Sequence, residues 1–163
     1  MERRHVESEA VTVSESRLVL QNTIVSAGAI LLVEDEDFVR NVTCEILRFA
    51  GYEVLAARTA ADAARVFREQ PAGIALLVAD VVLPDHNGSE LAGELRVMQS
   101  ELKVMLISGY PRARISSLLG PESGFSYLEK PFSAETLVRK ISEVLQESAK
   151  QPKSYMVRSA SGI

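Results

Sequence analysis

Apolar positions along the chain fall into three continuous runs and two alternating ones. The continuous runs are Ala29–Val33, Ile74–Ala79 and the stretch Lys103–Ile107. Unbroken apolar runs of this length, closed by polar or turn-forming residues, predict strands buried on both faces. Tyr52–Leu55 and Phe125–Leu128 alternate apolar with polar residues, as strands half exposed to water do. Between the strands the apolar period lengthens to that of a helix. A stripe of Phe38, Val42, Ile46, Leu47 and Ala50 predicts a helix over Asp37–Ala50, stopped by Gly51. Thr59–Gln70 is Ala-rich, opens on a Thr59/Asp62 capping box and ends at Pro71 and Gly73. Glu90–Met98 predicts a helix that buries Leu91, Leu95 and Met98. A short, poor helix follows Pro111, with Ile115, Leu118 and Leu119 on one side, and Gly120-Pro121 breaks it. Ser133 caps a last helix whose stripe is Leu137, Val138, Ile141, Val144 and Leu145.

Strand and helix therefore alternate five times. That alternation predicts one α/β domain, a parallel sheet with helices on both faces and right-handed crossovers. The continuous first, third and fourth strands belong inside the sheet, and the alternating second and fifth at its edges. The order 2-1-3-4-5 satisfies this. It is a common doubly wound order, with a ligand crevice at the carboxyl ends of the first and third strands. Residues 1–27 hold no period and read as an N-terminal extension or linker. Residues 28–147 form the domain. Residues 148–163, rich in Ser and carrying Lys150, Lys153 and Arg158, read as a disordered tail.

Composition narrows the function classes. A net charge of -4 over 163 residues offers no basic footprint for nucleic acid. No apolar run approaches the roughly 20 residues of a membrane span, and no secretory h-region follows the charged N-terminus. The single cysteine, Cys44, excludes an internal disulfide framework and suits a reducing cytoplasm. It reads as a packing or surface residue. His86 reads as a solvated loop residue.

The chemistry gathers where strands end. Glu34 and Asp35 follow the first strand, Asp80 closes the third, Ser108 closes the fourth and Lys130 follows the fifth. Alone, Asp80 reads as well as a turn-former or helix cap as it does as a functional carboxylate. The bland alternative for Lys130 is a surface salt bridge to Glu129 or Glu135, and for Ser108 an ordinary turn residue. In the doubly wound order all of them line one crevice. Three carboxylates in such a space repel by on the order of several kcal/mol at an effective dielectric near 20. A divalent cation offsets that repulsion, and oxygen-only donors select Mg²⁺, with Mn²⁺ as substitute. Asp35 and Asp80 are the expected direct ligands, with the backbone carbonyl of Val82 as a third and Glu34 acting through water. One Asp80 oxygen then remains as a nucleophile toward phosphorus. Lys130 and the cation neutralise the transferring group, and Ser108 hydrogen-bonds a phosphate oxygen.

At these residues the chain resembles the receiver domain of bacterial two-component response regulators, of the stand-alone or hybrid-kinase type. The motifs are Leu31-Leu32-Val33-Glu34-Asp35, Asp80 with Leu83-Pro84 and Asn87-Gly88, Ile107-Ser108-Gly109-Tyr110, and Lys130-Pro131-Phe132. They span roughly residues 28–147. Each motif is weak alone, and four in order are highly specific. The resemblance implies a flavodoxin-like fold with five helices, and a phosphoryl group accepted on Asp80 from a kinase phosphohistidine. It implies Glu34 and Asp35 as the acidic pair, Ser108 as the switch hydroxyl, Lys130 at the phosphate and Tyr127 as the aromatic that turns inward on activation. It also implies a Lys130-Pro131 peptide that is often cis. The partners implied are a sensor histidine kinase or phosphotransfer protein, and a downstream protein reading the fourth helix, fifth strand and fifth helix. Such a domain is not an enzyme beyond catalysing its own phosphorylation and dephosphorylation. Glu34 stands where Asp is commonest, a longer arm that could shift the metal or its water.

Two other classes compete. An Asp-nucleophile phosphatase of the haloacid dehalogenase type needs a second Asp two residues after the first, and Val82 stands there. A phosphorylation-independent interaction module would lack acidic or Lys residues of the site, and none is missing.

Overall fold

The computed structural model describes residues 28–111, 113–115 and 124–147. The expected N-terminal extension, the C-terminal tail and most of the short helix after Pro111 lie outside them. The elements are β1 (Ala29–Val33), α1 (Asp37–Phe49), β2 (Val54–Ala57), α2 (Ala60–Glu69), a 3₁₀ turn (Pro71–Gly73), β3 (Ile74–Asp80), α3 (Gly88–Met98), β4 (Lys103–Ser108), β5 (Ser126–Glu129) and α4 (Ala134–Gln146). Residues 113–115 are helical and Ile115 is buried. All strand pairs are parallel, in the order β2-β1-β3-β4-β5. The continuous apolar runs are the interior strands because both of their faces are covered.

Two cores result. Leu31, Val33, Leu77, Ala79 and Leu106 meet Phe67 of α2 and Leu91 and Leu95 of α3 on one face. Ile30, Leu32, Leu76, Val78, Met105 and Ile107 meet Leu47 of α1 and Leu137, Ile141 and Val144 of α4 on the other. Phe67 is fully enclosed, so its truncation to alanine would cost about 3–5 kcal/mol.

The α1 stripe departs from expectation. Leu47 is buried and Ile46 and Ala50 pack beside it, but the inward face is completed by Thr43 and Cys44. Phe38 and Val42 come round on nearly the opposite side of the helix, and Phe38 is 73% exposed. Phe49, about two turns beyond Val42 on the same side, is 95% exposed. Met98, expected inside, is 50% exposed at the end of α3. Cys44 packs in the core.

The loops at the carboxyl ends are tied to helix starts. Thr59 Oγ1 accepts the Asp62 N–H at 3.0 Å. The Asp85 carboxylate, from the loop after β3, accepts the Ala60 and Ala61 N–H groups, each at 3.0 Å. Between them they satisfy the first orphan donors of α2. They also fix the Asp80 loop to a neighbouring element. Asn87 caps α3 by accepting from Ser89 N at 2.8 Å.

Candidate functional site

Four of the five strands, β1, β3, β4 and β5, end on or just before a polar group of the same rim. β1 stops at Val33, and the Glu34 N–H still bonds to the Ala57 carbonyl at 3.2 Å, which keeps the chain in line with β2. Glu34 is therefore drawn inward and is only 5% exposed. Asp80 is the last residue of β3, and its successor Val81 donates to the Ile107 carbonyl at 2.9 Å. Lys130 follows β5, and its backbone N–H bonds to the Ser108 carbonyl at 2.8 Å. The Lys130-Pro131 peptide is cis.

The central contact is made by Lys130. Its Nζ donates to Asp80 Oδ2 at 2.6 Å and to Glu34 Oε2 at 3.0 Å. Instead of a surface salt bridge to Glu129 or Glu135, it bridges two carboxylates from different strands. Burial alone would lower the Lys130 pKa. The hydrogen bonds to Asp80 and Glu34 and the charges of both carboxylates outweigh it, and the ammonium titrates above its usual value. The other Asp80 oxygen, Oδ1, accepts the Val82 N–H at 2.9 Å. Ser108 is 2% exposed at the end of β4, and its Oγ accepts the Tyr110 N–H at 3.0 Å. An accepting hydroxyl keeps its own O–H to give. Tyr127, on β5, is partly buried and packs against the core that holds Ile115.

Asp35 stands apart. It is exposed beside the pair rather than converging with Glu34 and Asp80. Among the described residues no three acidic, histidine or cysteine side chains are grouped to hold a metal ion. The Lys130 ammonium sits between buried Glu34 and partly buried Asp80 and offsets part of their charge. Two carboxylates, Glu34 and Asp80, face the one ammonium, and exposed Asp35 stands beside them. The rim's donors, the carboxylates of Glu34, Asp35 and Asp80 and the carbonyl of Val82, are all oxygen, which suits a hard divalent cation.

Three residues matter here that pattern alone did not single out for these roles. Gly88 approaches the Asp80 backbone so closely that a Cβ on it would lie 2.1 Å from the Asp80 carbonyl oxygen. Asp85 anchors the loop to α2. Arg40 donates from Nη1 to the carbonyl oxygens of Glu34 at 3.0 Å and Asp35 at 3.4 Å. Gly88 and Asp85 were legible only as turn residues of the Asp80 loop. Asp85 and Arg40 bond to backbone groups whose need for a partner depends on the tertiary fold. His86, expected to be solvated, lies 3.4 Å from Glu90 and 3.3 Å from Glu94 through Nε2.

Comparison with known proteins agrees with this geometry. The response regulator receiver domain family matches residues 30–142. The chain is 29% identical over 147 residues to the sensor kinase CckA of Brucella abortus, covering 90% of this chain and 16% of that protein. It is 32% identical over 116 residues to the response regulator receiver protein CpdR of the same organism, covering 71% of this chain and 95% of that protein. It thus spans only a small part of the long kinase and nearly all of the short receiver. The crystal structure of the receiver domain from the hybrid histidine kinase CckA superposes with a TM-score of 0.63 at 38% identity, covering 73% of this chain and all of that one. With the sheet order, the four motifs and the family match in agreement, the chain belongs to the response regulator receiver domain family of two-component systems.

Proposed function

We propose that Asp80 is the phosphoacceptor of a two-component phosphorelay, taking a phosphoryl group from the phosphohistidine of a sensor histidine kinase or phosphotransfer protein. The observation that carries this reading is the Lys130 ammonium bridging Asp80 and Glu34 at the carboxyl edge of the sheet. In the step, an Asp80 carboxylate oxygen forms a bond to phosphorus as the phosphorus–nitrogen bond breaks. The bonding pair stays on the imidazole nitrogen. Lys130, already in contact with Asp80, follows the new charge onto a phosphoryl oxygen. Ser108 turns its free O–H to another. Mg²⁺ held by Asp35, Asp80 and the Val82 carbonyl, with Glu34 through water, would supply the remaining positive charge.

Phosphorylation adds close to two negative charges and three acceptor oxygens. Ser108 moving toward them would vacate space that Tyr127 fills, and the changed surface is that of the helix after Pro111, β5 and α4. The phosphoryl group acts by favouring one of two pre-existing arrangements. A protein donor must approach the rim on which Asp80 lies. Phe38, three residues beyond Asp35 and exposed, offers it an apolar contact. The site reads as a switch that modifies itself, with output by protein contact.

Incubation with acetyl phosphate and Mg²⁺, followed by intact mass measurement, tests this reading. One phosphoryl adduct on the wild type and none on Asp80→Asn is the expected result. No adduct on the wild type would instead make the domain a phosphorylation-independent interaction module.

A further inference from the structure

Arg40 is a cation beside the acidic rim that the proposed phosphoryl transfer does not use. It sits one turn into α1, and its side chain is only 12% exposed. Its side chain joins the turn that carries Glu34 and Asp35 to the first residue of α1. Nη1 donates to the carbonyl oxygens of Glu34 and Asp35. Nη2 pairs with the Asp37 carboxylate. Its backbone N–H bonds to the Glu36 carbonyl at 2.9 Å. Asp37 is held in turn by Arg58 Nε at 3.6 Å, from the end of β2. The turn lies between the end of β1 and the start of α1, so the Glu34 and Asp35 carbonyls are outside both ladders and need donors. A guanidinium is a rigid planar fork that can serve two carbonyls and a carboxylate at once, with charge-assisted bonds. A lysine ammonium is a single point on a flexible stem and cannot reproduce that spread.

We infer that Arg40 is a positioning residue for the divalent-cation site: it fixes the backbone of the acidic turn so that Glu34 and Asp35 keep their spacing to Asp80. The inference rests on the reading of Asp80 as a cation-assisted phosphoacceptor. Arg40 touches neither Asp80 nor Lys130, so its loss leaves the nucleophile and the phosphate-binding cation in place. The effect belongs to cation affinity, not to the rate once the cation is bound.

The test uses the full chain as wild type, Arg40→Gln and Arg40→Lys. Mg²⁺ affinity is measured by titration calorimetry. Phosphoryl incorporation from acetyl phosphate is followed by intact mass across Mg²⁺ concentrations. Thermal melts check that each variant is folded. Mg²⁺ affinity in Arg40→Gln should fall on the order of 10-fold, as for other residues that orient ligands. The incorporation rate at saturating Mg²⁺ should stay within about twofold. Arg40→Lys should recover part of the affinity, and it decides the matter if Arg40→Gln does not fold. Unchanged Mg²⁺ affinity in a folded variant overturns the inference. So does a lost rate at saturating Mg²⁺ with affinity intact, because that would place Arg40 on the phosphoryl group. Mg²⁺ binding by a wild type that takes up no phosphate would sink the phosphoacceptor reading while leaving the clamp standing. No Mg²⁺ binding by the wild type would overturn the clamp itself.

Discussion

At Gly88 the backbone leaves no room for a side chain. Alanine there must push against the Asp80 carbonyl oxygen, which is backbone and cannot swing away. Gly88→Ala is expected to cost about 1–3 kcal/mol, seen as a lower denaturant midpoint, and to slow phosphoryl uptake by displacing Asp80. Asp85 acts on the same loop through its charge. Hydrogen bonds from Ala61 and then Ala60 hold its carboxyl below the usual carboxylate range. A group depressed on folding contributes stability above its unfolded pKa and loses it as pH falls through the folded one. Asp85→Ala should therefore lower stability by about 1 kcal/mol at neutral pH, the usual worth of a helix cap. That gap should close below about pH 4 as the wild-type carboxyl protonates. Melts of both proteins across pH check it; a gap that stays constant down to low pH would count against the cap. At this scale Glu34, Asp80, Ser108 and Lys130 were legible because unusual residue types stood at strand ends. The roles of Arg40 and Asp85 were not, because each serves backbone N–H or C=O groups left over by a particular packing.

Among the elements, the strands were the most legible part of the chain. Interior strands are covered on both faces and must be apolar throughout, while edge strands need not be. Helix α1 shows where that logic stops. Its inward face is made by Thr43, Cys44 and Leu47, while Phe38, Val42 and Phe49 form an exposed apolar side. Periodicity marks an apolar stripe without saying whether the sheet or a partner covers it. Since Phe38 lies beside the rim, Phe38→Ala should leave uptake from acetyl phosphate unchanged and slow transfer from a protein phosphodonor by about tenfold, the worth of roughly 1.4 kcal/mol of contact. Parallel time courses with the two donors check this. An equal effect on both would mean that Phe38 supports the site itself.

On the scale of the whole molecule, the parallel sheet separates work from anchorage. All carboxyl ends of the strands point to one rim, where Lys130 bridges Asp80 and Glu34 and its backbone N–H bonds to the carbonyl of Ser108. At the opposite end, Lys103 binds the carbonyls of Leu145 and Glu147 and fastens the end of α4 to β4. The five-strand order was legible because edge and interior strands differ in pattern. The position of Asp35 outside the Glu34–Lys130–Asp80 contact was not, since it depends on which carboxylates the ammonium reaches.

The most direct measurement asks which atom takes the phosphoryl group. After treatment with acetyl phosphate and Mg²⁺, borohydride reduces an aspartyl phosphate to homoserine, and peptide mass mapping locates the converted residue. Homoserine at position 80, and nowhere else, is the predicted result. Conversion at Asp35 or Asp85, or no conversion in a protein that carries the adduct, would contradict the account.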